Sequence, residues 1–235
     1  QWLQLAPALA LLVACLWASI AINRHANVYR ILAHVPWALP IQEFSLADDN
    51  RYVAKLEDRL KQTPGDAEGY EALGELYVIR YRLTALKNLS VDTGYSTDDQ
   101  NLWLWTDTNL LYQRTHLFRR QGADEMAAEF AKNPVIAENL HPARTAHAQS
   151  LAGCPLIPQS HLRLAELNYL GNDPASDVAH LQKCVELDPS NYDRLFQVGQ
   201  LHLYAGRLEQ AWQVWHQCLE LTPKHLVAIM GLASS

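Results

Sequence analysis

Two heptapeptides near the C-terminus, KCVELDP at 183–189 and QCLELTP at 217–223, are one motif displaced by 34 residues. Cys184 matches Cys218, Glu186 matches Glu220, Leu187 matches Leu221 and Pro189 matches Pro223. No other feature constrains the fold as much. A fixed period of this length marks supersecondary units that cannot bury their apolar faces alone and must stack on their neighbours. The stretch after Pro189, SNYDRLFQVGQLHLYAGRL, has a counterpart after Pro64, GDAEGYEALGELYVIRYRL, in which Gly74 aligns with Gly199 and Leu76 with Leu201. No alternating apolar run bounded by turns marks a strand.

Thirty-four residues is the tetratricopeptide period. Leu195, Gly199, Gly206, Ala211, Trp215 and Pro223 stand at the large-apolar, small, turn, small, aromatic and proline positions of that pattern. Gly199 and Ala211 let two antiparallel helices approach closely, Gly206 permits the left-handed turn that closes the first helix, and Pro223 ends the second. The unit at 158–189 is looser, with Ala165 at the small position and Leu181 at the aromatic one. The chain is therefore expected to be all-α: a tetratricopeptide-like helical-hairpin solenoid with a divergent helical middle, preceded by one transmembrane helix. The expected division is 1–23 transmembrane helix, 24–49 linker, 50–90 first partial repeat, 91–153 divergent helical region and 154–235 two tetratricopeptide repeats. Ser90–Gln100 reads as a polar loop.

Trp2 to Ile22 contains no charged residue. At about 1.5 Å per residue a helix of this length spans about 30 Å of hydrocarbon. Trp2 and Trp17 fit interfacial positions. A signal peptide would carry a basic region before its apolar core and a small-residue cleavage site after it, and neither is present. Arg24 and Arg30 lie just C-terminal to the span; by the positive-inside rule they favour a cytoplasmic location for the remainder of the chain, though two arginines leave both orientations open. The chain begins with Gln1, so a processed product or a piece of a longer protein is expected.

The formal net charge of −6 provides no electrostatic footprint for nucleic acid. The 4 cysteines include no CxxC pair, and the three outside the opening segment read as small core residues. The 10 histidines form no HExxH motif, and the 10 glycines form no phosphate loop. No G-x-S-x-G elbow is present. No catalytic residue, cofactor or metal is expected from these patterns.

Function is instead expected in the groove of the repeat array, where the first helix of each hairpin lines the concave side and an extended protein or peptide segment can lie. By register, Phe196, Gln200, Leu203 and Tyr204 should face it in the last repeat, and Leu162, Glu166 and Tyr169 in the previous one; the alternative is that these residues pack against the divergent middle region instead. Glu68, Glu71 and Glu75 share one helix face and read either as a solvated face or as an acidic wall of the groove.

The stretch CPLIPQSHLRLAEL (154–167), the segment LHPARTAHAQSLAGC before it and the repeats after it resemble the C-terminal region of O-antigen ligase-like membrane proteins of planctomycete type. The resemblance spans about residues 100–230 and implies a place in the bacterial inner membrane and a role in cell-envelope polysaccharide assembly. The glycan-transfer chemistry of that family belongs to a polytopic part, so no catalytic residue carries over. Two functional expectations result: a membrane-anchored, non-catalytic scaffold for protein–protein interaction, or the tail of a ligase or polymerase whose catalytic membrane part lies upstream.

Overall fold

The computed structural model describes residues 45–93, 106–171 and 176–233. The expected transmembrane helix at 2–22, most of the linker and residues 94–105 lie outside the described residues. Among the described residues there is no strand, and no helix is long and apolar enough to cross a membrane. The helices are α1 (Leu46–Gln62), α2 (Ala67–Thr93), α3 (Thr108–Arg120), α4 (Asp124–Ala131), α5 (Pro134–Gly153), α6 (Pro158–Glu166), α7 (Ser176–Leu187), α8 (Tyr192–Tyr204), α9 (Leu208–Leu221) and α10 (Leu226–Ala233), with 3₁₀ turns at Asn168–Leu170 and Pro223–His225.

The 34-residue step is visible in the element bounds. Helix α6 begins at Pro158 and α8 at Tyr192; α7 ends at Leu187 and α9 at Leu221. α6 pairs with α7 and α8 with α9. Equivalent residues have equivalent burial: Leu181 and Trp215 are fully buried, as are Cys184 and Cys218. Cys154, expected in the core with them, is only half-buried, because it caps the end of α5. Within the last hairpin, a Cβ placed on Gly199 would land on Trp215 Nε1, whose N–H donates to the Phe196 carbonyl at 3.1 Å. The missing side chain of Gly199 is the space the indole occupies. Gly206, at φ 78°, adopts the left-handed conformation that its turn position requires.

Helix α2 packs closely along α5, across an intervening stretch that carries α3 and α4. Their contact repeats the Gly199–Trp215 arrangement, since a Cβ on Gly74 would lie 2.5 Å from His147 Nε2. The register agrees: Ala143, His147, Ser150 and Pro155 stand 34 residues before Asp177, Leu181, Cys184 and Pro189. Thus α5, expected in the divergent middle, is the antiparallel partner of α2, and the segment between them interrupts the hairpin.

Two boundaries differ from expectation. Helix α1 begins at Leu46, inside the expected linker, because Ser45 caps it by accepting from Asp48 N at 3.1 Å. Helix α2 continues to Thr93 through the start of the expected polar loop; Leu83 and Leu86 are buried, and neither glycine nor proline interrupts the chain between Gly74 and Gly94. The core is laid down in three clusters: α1 against α2, a central one joining α2, α3, α5, α6, α7 and α8, and a C-terminal one around Ala211, Trp215 and Ile229.

Gly199→Ala should destabilise the fold by about 1–3 kcal/mol, since the indole must shift within a packed hairpin. Gly231→Ala, where an added Cβ meets nothing within 4 Å, should leave the urea midpoint unchanged or slightly raised. Equilibrium urea unfolding of both variants checks this.

Candidate functional site

The first helices α2, α6 and α8 are cross-linked by polar side chains that line one face of the array. Gln159 Nε2 donates to Glu75 Oε1 at 2.9 Å, and Arg163 grips both Glu75 oxygens, through Nε and Nη2 at 2.8 Å each. Arg163 Nη1 also donates to Glu166 Oε2 at 2.6 Å. Arg194 of α8 reaches Gln159 Oε1 at 3.5 Å and is ion-paired to Asp188. Behind this strip, His147 Nδ1 lies 3.2 Å from Ser160 Oγ, which donates to Ser150 Oγ at 3.0 Å, while His147 Nε2 stands 3.7 Å from Glu75 Oε1.

Electrostatics here are set by burial and then by neighbours. Burial alone would raise Glu75, but the Arg163 guanidinium beside it, with His147 and Gln159, brings it down to about 2. Glu71 has no such partner: burial, then the Glu75 and Glu68 carboxylates, push it up to about 7 against the pull of Arg194. Burial lowers His147 to about 4 despite Glu75 nearby.

A second polar cluster pins α3 to the repeats. Tyr112 OH donates to the buried Asp177 Oδ2 at 2.7 Å; Arg207 donates to the same oxygen and to Tyr112 OH, each at 3.0 Å, and its Nε reaches His202 Nδ1 at 3.0 Å. His116 of α3 stands 3.9 Å from Asp177. Burial lowers His116 and His202 to about 4 and raises Tyr112. Asp177 falls where Ala211 stands one repeat later, so a carboxylate occupies a small-residue position and needs these partners in the interior.

The expected groove residues do not form the open apolar lining foreseen for them. Leu162 and Tyr169 are buried in the central core together with Leu111 and Tyr112 of α3. Their aromatic and leucine stripe meets an apolar face of the intervening segment, so that face is not open to a partner. Glu166 is 2% exposed and held by Arg163. Phe196 and Leu203 are half-buried against the C-terminal core, and Phe196 stacks 5.3 Å from the His225 ring. Gln200 donates to Tyr204 OH at 2.7 Å, and the half-buried Tyr204 packs on the central core. Glu68 is exposed and Glu71 half-buried, while Glu75 is drawn into the Arg163 cluster. Arg163, Gln159, His147, Asp177, Tyr112 and Arg207 were not foreseen. Asp177 could have been, from its place in the repeat register; nothing local marks Tyr112. Among the described residues no group of three or more His, Cys, Asp or Glu could hold a metal ion.

Stacked antiparallel hairpins at a 34-residue step define a tetratricopeptide-like helical repeat array with an interrupted unit. No protein-family model and no curated protein matches the chain. Among solved structures it is similar to a thermophilic TPR protein from Thermus thermophilus, with 19% identity over 83% of this chain and 93% of that one and a TM-score of 0.39.

The histidines set a pH dependence. His116, His147 and His202 titrate near 6.5 when unfolded and near 4 when folded, so the unfolded chain binds more protons between these values. Their contribution is full above about pH 6.5 and is lost as pH falls toward 4. Glu71 and Asp49, both raised by burial, act in the opposite sense, Glu71 between about 4.5 and 7, but they are two groups against three, and Glu75, lowered to about 2, joins the histidines below about 4.5. The urea midpoint should therefore fall from pH 6.5 to 4, and less steeply in His147→Gln. Separately, Asp177→Ala should cost about 3–5 kcal/mol, since Arg207 loses its buried counter-charge, and Tyr112→Phe about 1–2 kcal/mol. Urea unfolding at pH 7 measures both.

Proposed function

We propose that this chain is a membrane-anchored helical-repeat scaffold that holds a segment of a partner protein along the face formed by α2, α6 and α8, and that it serves in cell-envelope polysaccharide assembly at the bacterial inner membrane. The observation that carries the scaffold reading is the set of cross-links Glu75–Arg163, Glu75–Gln159 and Gln159–Arg194, which hold the three first helices side by side as one continuous surface. Repeat arrays present such surfaces preformed, so little ordering cost falls on the scaffold when a partner binds. The uncharged run from Trp2 to Ile22 supports the anchor, and the likeness of residues 154–167 to O-antigen ligase-like proteins supports the setting.

Deletion of residues 1–23 should move the chain from the carbonate-resistant membrane pellet to the supernatant; retention in the pellet would remove the anchor from the proposal. For the scaffold, a photo-cross-linking amino acid at exposed Asp193 of α8 should capture a recurrent partner in cells, whereas one at exposed Gln213 of α9 should not. Equal labelling from both positions would overturn this choice of face.

A further inference from the structure

The helices inserted between α2 and α5 bury little of themselves. Their buried side chains, among those described, are Thr106, Thr108, Leu111, Tyr112 and Thr115 around α3 and Ala127 of α4. Leu111 and Tyr112 are the large ones, whereas Leu117 is 42% and Met126 56% exposed. Helix α3 also carries its own helix signals. Asp107 caps it by accepting from Asn109 N at 3.0 Å, and Arg119 and Arg120 stand in its last turn, where a cation is favoured. Polar links join it to the array at Tyr112, on Asp177 and Arg207; at His116, near Asp177; and at Arg120, whose Nη2 donates to the Tyr204 carbonyl at 3.4 Å. Asp177 Oδ1 has no hydrogen-bond partner although the residue is fully buried. The docked state thus leaves a dry acceptor that water would meet once α3 lifts. Beneath α3, Leu162, Tyr169, Val198 and Leu201 share the central core with Leu111 and Tyr112. A contact of this kind, with few large buried side chains and an unmet acceptor, opens more easily than the hairpins around it.

We infer that α3 is an intrachain occupant of the repeat groove: α3 and α4 lift off together, and a helix of the partner protein takes the place of α3 on α6 and α8. That helix sets a leucine where Leu111 lies and a tyrosine hydroxyl on Asp177 and Arg207. This rests on the scaffold reading above and supplies the chemistry of the partner segment, for which residues 106–121 are the template. The pairing of α2 with α5 does not need α3, because His147 seats directly on Gly74. While α3 is docked, the open fraction is small, and the apparent affinity of a partner falls by that fraction.

The test uses the whole 235-residue chain in neutral detergent. In native-state hydrogen exchange the amides of α3 and α4 should exchange together, about a hundredfold faster than those of α8 and α9. A labelled peptide of residues 106–121 should bind the Leu111→Ala/Tyr112→Ala chain, whose own α3 is loosened, about tenfold more tightly than the wild-type chain. The same peptide carrying both alanines, equal in charge, should bind neither chain. Circular dichroism and unchanged exchange in α8 and α9 establish that the variant is folded. Tyr112→Phe, which keeps the ring and removes the hydroxyl, should give a smaller gain and replaces the double variant if that unfolds. Exchange of α3 only in step with α8 and α9, or equal peptide affinity for the wild-type and loosened chains, overturns the inference. The cross-linker at Asp193 separates it from the scaffold reading. Stronger capture in the loosened chain supports both. Equal capture in the two chains overturns the inference and leaves the scaffold standing. If the peptide binds as stated but Asp193 captures nothing in either chain, the scaffold reading falls and α3 remains the occupant of the groove.

Discussion

In two of the hairpins the distance between paired helices is set by a ring resting where a side chain is missing. Trp215 lies on Gly199, and His147 lies on Gly74. Each contact brings a first and a second helix close enough for the flanking apolar residues to interdigitate. Leu195, Val198, Leu201 and Cys218 are all buried around the first of these contacts. Dispersion and burial depend on that spacing to within fractions of an ångström, so the packing of these two hairpins follows from it. The use of an imidazole in one hairpin and an indole in the other has a chemical consequence. The indole satisfies its N–H on a backbone carbonyl within its own hairpin, whereas the imidazole brings a titratable ring into contact with Ser160 and near Glu75.

The interrupted hairpin explains why the concave side is not a uniform apolar trough. The chain leaves α2, builds α3 and α4, and returns as α5 alongside α2. Helix α3 meets α6 and α8 with Leu111 and Tyr112, and the polar end of Tyr112 finds Asp177 and Arg207. Apolar burial supplies most of the attachment, while the Asp177 cluster decides its register, since a buried carboxylate tolerates few alternative neighbours. The first helices keep a partly accessible polar strip, with Glu68 exposed and Glu71, Gln159, Arg163 and Arg194 half-buried.

That strip shows how a repeat array combines cohesion with a charged surface. Arg163 joins α6 to α2 through two hydrogen bonds to Glu75, a planar bidentate geometry that lysine could not reproduce. The same guanidinium serves Glu166, so one cation answers two acids and the surface keeps a net negative character.

The 34-residue recurrence by itself determined the all-helical class, the two C-terminal hairpins and the roles of Gly199, Gly206 and Pro223, because each follows from helix periodicity and local turn chemistry within a single unit; Trp215, expected between neighbouring hairpins, instead rests on Gly199 inside its own. Glu68, Glu71 and Glu75 were legible as one face for the same reason. The pairing of α2 with α5 was not, since the intervening segment hides the register and only the step from Pro155 to Pro189 preserves it. Nor could the sequence place Leu162 and Tyr169 in the core or join Arg163 to Glu75. These depend on which distant helix lies across each face, and long-range packing leaves no periodic mark on the residues it brings together. The tertiary structure alone decided that Leu162, Tyr169 and Glu166 lie in the interior, while Phe196, Leu203 and Tyr204 stay half-buried beside the charged strip.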